Sequence, residues 1–185
     1  MAAEQFGPWT LVKKDCETQI PFTNFLNNPI AGEKYIIVQI DTAECEEMGY
    51  DVERPAKTDV NYCEKLRNKV VDKINEWLQN NWQNEVFYAI CIEEMEAWIH
   101  TLYEGKDTSK PLNAKETFEK LLNKKIKNDK QLNKKINELK QKSEFDKAHF
   151  LSKNFQKITS KKGRKVLENN ESLKAFVLSL ETIEL

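Results

Sequence analysis

The sequence has only two histidines, His100 and His149, and four cysteines, Cys16, Cys45, Cys63 and Cys91, none in a Cys-x-x-Cys pair. A Cys/His zinc centre needs clustered ligands of these types, so none is expected. GxxxxGK[ST], GxGxxG and GxSxG are all missing, which leaves NTP binding and α/β-hydrolase chemistry without support. No apolar stretch approaches the ~20 residues of a membrane span. No apolar leader follows the first Met, so no signal peptide is expected. Reduced thiols in a cytoplasmic setting are the simplest expectation. Cys91 lies in an apolar run, where cysteine behaves as a small buried hydrophobe.

What is present points to a folded chain. At 185 residues a single domain with a real core is expected. Four Trp, five Tyr and nine Phe argue against disorder, although 32% of the residues are charged. The net charge of −1 hides an asymmetry: residues 1–100 carry 18 acidic and 9 basic side chains, residues 101–185 carry 12 and 20. The acidic half suggests a cation site and the basic half a polyanion contact. The alternative is two differently solvated surfaces.

The β-rich Trp9-Thr10-Leu11-Val12, after Gly7-Pro8, reads as a strand. Residues 16–34, with Pro21, Pro29 and Gly32, read mostly as loop with one short helical turn. Lys34–Ile40 is a near-continuous apolar run, the pattern of a strand covered on both faces, and it ends at Asp41. Thr42–Thr58 is a polar, acidic loop. Residues 59–81 have helical spacing through Val60, Leu66, Val70, Ile74, Trp77 and Leu78. Asp59 is the expected N-cap and Asn80-Asn81 the stop. Glu85–Ile92 is a second buried strand. Strand, helix and strand in this order make a βαβ unit with parallel pairing.

Glu93–Tyr103 reads as a helix starting directly at that strand's end. Residues 113–142 are Lys-, Asn- and Leu-rich with helical periodicity, broken at Asn128-Asp129. Ser143–Gly163 is mixed, and Glu171–Glu181 is a final amphipathic helix capped by Asn169 or Asn170. The expected organisation is an α/β sheet core over residues 1–104 and a helical, basic extension over 105–185 packed on the same domain.

Functional groups in a parallel sheet gather outside the carboxyl ends of the strands. Here the first strand ends at Asp41, followed by Glu44, Glu46, Glu47 and Asp51. The second ends at Glu93-Glu94, with Glu96 one helical turn beyond Glu93. Adjacent parallel strands lie ~4.8 Å apart, so Asp41 and Glu93 are candidate ligands of one ion. Mg²⁺ takes a few carboxylate oxygens plus waters and phosphate, and a pair of such ions supports phosphodiester cleavage. The competing explanation is that the three glutamates favour a helix N-terminus through its dipole, which leaves Asp41 unaccounted for. His100 is a weaker helper candidate, better read as structural. Trp77 and Trp98 read as core. Lys153, Lys157, Lys161, Lys162, Arg164 and Lys165 form a basic run suited to phosphate contact or to plain solvation.

The segments Phe6-Gly7-Pro8-Trp9, Val38-Gln39-Ile40-Asp41-Thr42 and Ala89-Ile90-Cys91-Ile92-Glu93-Glu94-Met95-Glu96-Ala97-Trp98 resemble Toprim-like proteins of bacteria and their mobile elements. Ser160–Lys165 and Glu171–Val177 extend the resemblance over most of the chain. It implies a four-stranded parallel α/β fold, Mg²⁺ (or Mn²⁺) binding, and nuclease activity of the kind used in anti-phage defence. Asp41, Glu93 and Glu96 are then the catalytic and metal-binding residues. Lys157, Lys161, Lys162, Arg164 and Lys165 are then the nucleic-acid contacts. The family's pattern has a Glu after its first strand and an Asp-x-Asp after a later one. Here Ala43 stands in place of the second Asp, and the first-strand Glu has no clear counterpart, since Glu4 and Glu17 are poor stand-ins. An inactivated site, in a subunit that acts by binding a protein partner, is the alternative implication.

Overall fold

A computed structural model describes residues 9–29, 32–101, 107–110, 113–128, positions 130, 134, 137 and 138, and 166–183. Among these the chain is mixed α/β, with a two-stranded parallel sheet and six helices. They form two compact units, residues 1–92 with 172–185 and residues 93–171.

The first unit opens with helix α1, Trp9–Thr18, followed by α2, Ile20–Leu26. The expected strand at Trp9–Val12 is therefore wrong. Its residues have β propensity, but Trp9, Val12 and Cys16 recur at helical spacing and face the core, with Trp9 and Cys16 buried. Burial on one face overrides intrinsic propensity. The expected loop over residues 16–34 is also mostly helix. Pro21 lies in the first turn of α2, where its missing N–H costs no hydrogen bond.

Strand β1 is Ile36–Asp41, α3 is Tyr62–Trp77 and β2 is Val86–Cys91. The two strands pair parallel, from Ile36 opposite Val86 to Asp41 opposite Cys91, as the order of elements implies. Val38, Ile40, Val86 and Ile90 face the core with Leu66, Val70, Ile74 and Trp77 of α3. The other face is only partly covered: Ile37 is 54% exposed and Gln39 is exposed, whereas Ala89 and Cys91 are buried. The expectation that the first strand is covered on both faces fails at Ile37. A β-branched run records strand propensity as well as burial, and cannot separate the two.

Helix α3 starts later than its periodicity suggests. Asn61 is the N-cap position and Val60, before the helix, is 87% exposed. Asp59 instead braces the entry turn. Its Oδ1 accepts the Asn61 N–H at 3.0 Å, its Oδ2 pairs with Lys65 at 2.6 Å, and its carbonyl accepts the Tyr62 N–H at 3.2 Å. The helix ends at Trp77, and Gln79 and Asn80 take left-handed φ values of 54° and 57°, a conformation that ends helices.

The second unit contains α4, Met95–Thr101, and α5, Ala114–Asn128, packed on each other. Ala97, Trp98, Ile99, Ala114 and Phe118 are buried. His100 is also buried, edge-on to Phe118 with ring centres 6.4 Å apart, so it is a core residue of this unit. A polar clasp joins two segments distant in sequence. Asn170, fully buried, donates through Nδ2 to the Thr108 carbonyl at 3.1 Å and to its hydroxyl at 3.0 Å. The Ser109 hydroxyl accepts the Glu171 N–H at 3.1 Å, satisfying a donor at the start of the last helix. That helix, α6, is Glu171–Leu180, and from Ser172 on it belongs to the first unit. The expected second helix after Asn128-Asp129 and the segment Ser143–Gly163 lie almost wholly outside the described residues. No described helix is long and apolar enough to cross a membrane. All four cysteines are buried thiols.

Candidate functional site at the end of the first strand

Asp41 is the last residue of β1, held by its own hydrogen bonds and by that of its neighbour Thr42. The Trp9 indole N–H donates to its carbonyl at 2.9 Å. The next residue, Thr42, donates its N–H to the Cys91 carbonyl at 3.0 Å, which extends the parallel ladder one step past the strand. The Asp41 carboxylate folds back, with Oδ1 accepting the Ala43 N–H at 3.1 Å. This local turn is a common use of aspartate.

The acidic loop that follows is ordered rather than loose. Cys45, Tyr50 and Val52 are buried, and the Val52 N–H donates to the Cys45 carbonyl at 2.9 Å. Gly49, at φ 96°, supplies a left-handed turn between them. Arg54 closes the loop. Its Nη2 donates to the carbonyls of Thr42 at 2.5 Å and Ala43 at 2.9 Å, and its Nε lies 3.2 Å from Glu46. Of the acids expected beside Asp41, Glu46 is thus paired with Arg54, and Asp51 accepts the Gly49 N–H at 3.3 Å.

Sequence reasoning did not single out Arg54. The available signal was composition: it is one of three arginines among 29 basic residues, and it lies in an acidic loop. Arginine rather than lysine is the residue suited to holding several acceptors at once.

Glu93 and Glu96 belong to the second unit, and Asp41 to the first. Glu93 follows β2 by two residues with φ 64°, an unfavourable conformation for a glutamate. Among the described residues six other non-glycine residues share it, so it does not by itself mark a site. Glu96 lies in the first turn of α4 and is half-buried. The helix begins at Met95, two residues later than expected. Glu94 caps a different element. Its Oε2 accepts the Lys115 N–H at 2.9 Å, which satisfies a donor at the start of α5 and places a negative charge there.

Among the described residues, no three His, Cys, Asp or Glu side chains converge closely enough to hold a metal ion. Among the described residues of the first unit, Asp41 is the candidate ligand, with one oxygen engaged by the Ala43 amide. A Mg²⁺ ion that keeps most of its waters needs only one or two protein carboxylates, so this donor set is compatible with weak, substrate-assisted binding. Lys157, Lys161, Lys162, Arg164 and Lys165 lie outside the described residues. No family model, no curated protein and no solved structure matches the chain.

Proposed function

We propose that this chain is a Toprim-like, Mg²⁺- or Mn²⁺-dependent protein that cleaves nucleic-acid phosphodiester bonds, in a setting such as phage defence. The observation that carries the reading is the position of Asp41: a carboxylate at the carboxyl end of a strand in a parallel βαβ unit, where such folds put their chemistry. In this proposal Asp41 is the first metal ligand, and Glu93 and Glu96 are the further ligands or general base. Lys157, Lys161, Lys162, Arg164 and Lys165 hold the backbone phosphates. The assay is cleavage of single- and double-stranded DNA and RNA with Mg²⁺ or Mn²⁺. Activity lost on chelation and in Asp41→Ala supports the reading. No cleavage by either the unvaried chain or Ala43→Asp sinks it.

A second reading, a non-catalytic subunit that binds a protein partner in a defence complex, is favoured by one observation. Position 43 carries no acid, and its backbone N–H and carbonyl are occupied by Asp41 and Arg54. This reading expects co-purification with a larger protein and no dependence on metal. A partner-free chain with metal-dependent cleavage rules it out.

A further inference from the structure

We infer that Arg54 is the positioning residue for the Asp41 carboxylate, acting through the peptide bond between Thr42 and Ala43; this rests on the reading of Asp41 as the site's first ligand. A trans peptide is planar, with its carbonyl and N–H pointing in opposite directions. In this peptide the carbonyl belongs to Thr42 and the N–H to Ala43. Arg54 Nη2 donates to the carbonyl at 2.5 Å, and Asp41 Oδ1 accepts the N–H at 3.1 Å. One rigid plane therefore connects the guanidinium to the carboxylate. A cation on the carbonyl polarises the amide and makes its N–H a stronger donor. The second bond, to the Ala43 carbonyl at 2.9 Å, stops the plane from rotating, and Glu46 at 3.2 Å from Nε anchors the guanidinium. Asp41 Oδ1 is held in the turn, which fixes the direction of Oδ2.

The experiment uses the full chain and three variants, Arg54→Ala, Arg54→Lys and Glu46→Gln. Two quantities are followed by NMR: hydrogen exchange of the Ala43 amide, and its broadening by added Mn²⁺. In Arg54→Ala, Ala43 exchange should speed up about tenfold, the loss of one charge-assisted bond. The Mn²⁺ midpoint should weaken by a similar factor. Arg54→Lys, which restores a cationic donor, should recover most of both. If Arg54→Ala does not fold, Glu46→Gln carries the test, with a shift of about threefold in each quantity. Unchanged exchange and an unchanged Mn²⁺ midpoint in a folded variant overturn the inference, and so does a fall in melting temperature with both quantities constant. If Mn²⁺ does not bind the unvaried chain but Ala43 exchange still responds, the metal reading fails while the hold of Arg54 on the turn stands.

Discussion

The indole of Trp9 and the backbone of Asp41, 32 residues apart in sequence, are joined by a 2.9 Å hydrogen bond. Trp9 also lies 4.9 Å from Tyr50 and 6.1 Å from Trp77, ring centre to ring centre. The aromatic cluster under the acidic loop thus reaches the strand end directly. Trp9→Phe keeps most of the buried surface and removes this donor from the Asp41 carbonyl. It should cost about 1–2 kcal/mol. Trp9→Ala removes the ring as well and should cost about 3–5 kcal/mol. Urea unfolding measures both. An unchanged stability in Trp9→Phe would mean that the indole N–H contributes nothing.

Some of this was legible in the sequence. Both strands were, because Ile36–Ile40 and Val86–Ile92 are apolar runs of strand length, and their parallel pairing followed from the helix between them. Asp41 was visible as an acid closing such a run. The first helix was not, because Trp9, Thr10 and Val12 favour strands and the pattern that matters, Trp9–Val12–Cys16, spans past the segment that looked extended. The surroundings of Asp41 were not legible either. Its contacts come from Trp9 and, through one peptide, from Arg54, and no local pattern encodes a meeting over such separations. Glu94 obeys the helix-dipole argument at a different helix: it serves the N-terminus of α5, not the one it precedes.

Burial pushes the Cys16 thiol up to about 12 from an ordinary 9.0, with smaller contributions from Asp15 and Glu17. The folded state therefore favours the neutral thiol. Its contribution is fully present below pH 9, and is lost as pH rises toward 12, because the unfolded chain ionises first. At pH 10 the loss from this group should be about 1 kcal/mol. Tyr88, raised by its own burial, acts in the same direction. Unfolding free energies at pH 8, 9 and 10 should fall, and Cys16→Ala should fall less steeply. An identical slope in the variant would assign the effect elsewhere.

The Glu94 carboxylate holds the Lys115 N–H at the start of α5. Glu94→Ala leaves that donor to water and removes a negative charge from a helix N-terminus. The expected cost is about 0.5–1 kcal/mol, confined to the second unit. Amide exchange in the first turn of α5 should accelerate several-fold, whereas exchange at Val70 and Ile74 of α3 stays constant. Acceleration in both places would show that the cap supports the whole chain.

Arg67, on the flank of α3, has a buried Nε without an acceptor, and its hydrogen bond to Asn68 Oδ1 is long at 3.4 Å. Among the described residues no carboxylate pairs with it. Desolvation lowers its pKa, against a smaller opposing effect from Cys63. A half-buried cation whose Nε has no acceptor carries a desolvation cost, reduced by the solvent that reaches Nη1, and an apolar side chain of similar length removes that cost while keeping the packing of the aliphatic stem. Arg67→Met should therefore be neutral or stabilising by up to about 1 kcal/mol, in contrast to Arg54→Met, which breaks an anchored network and should destabilise by about 1–3 kcal/mol. The comparison is made by urea unfolding of the two variants against the unvaried chain. A destabilised Arg67→Met would mean that the guanidinium is held by interactions stronger than the long bond to Asn68.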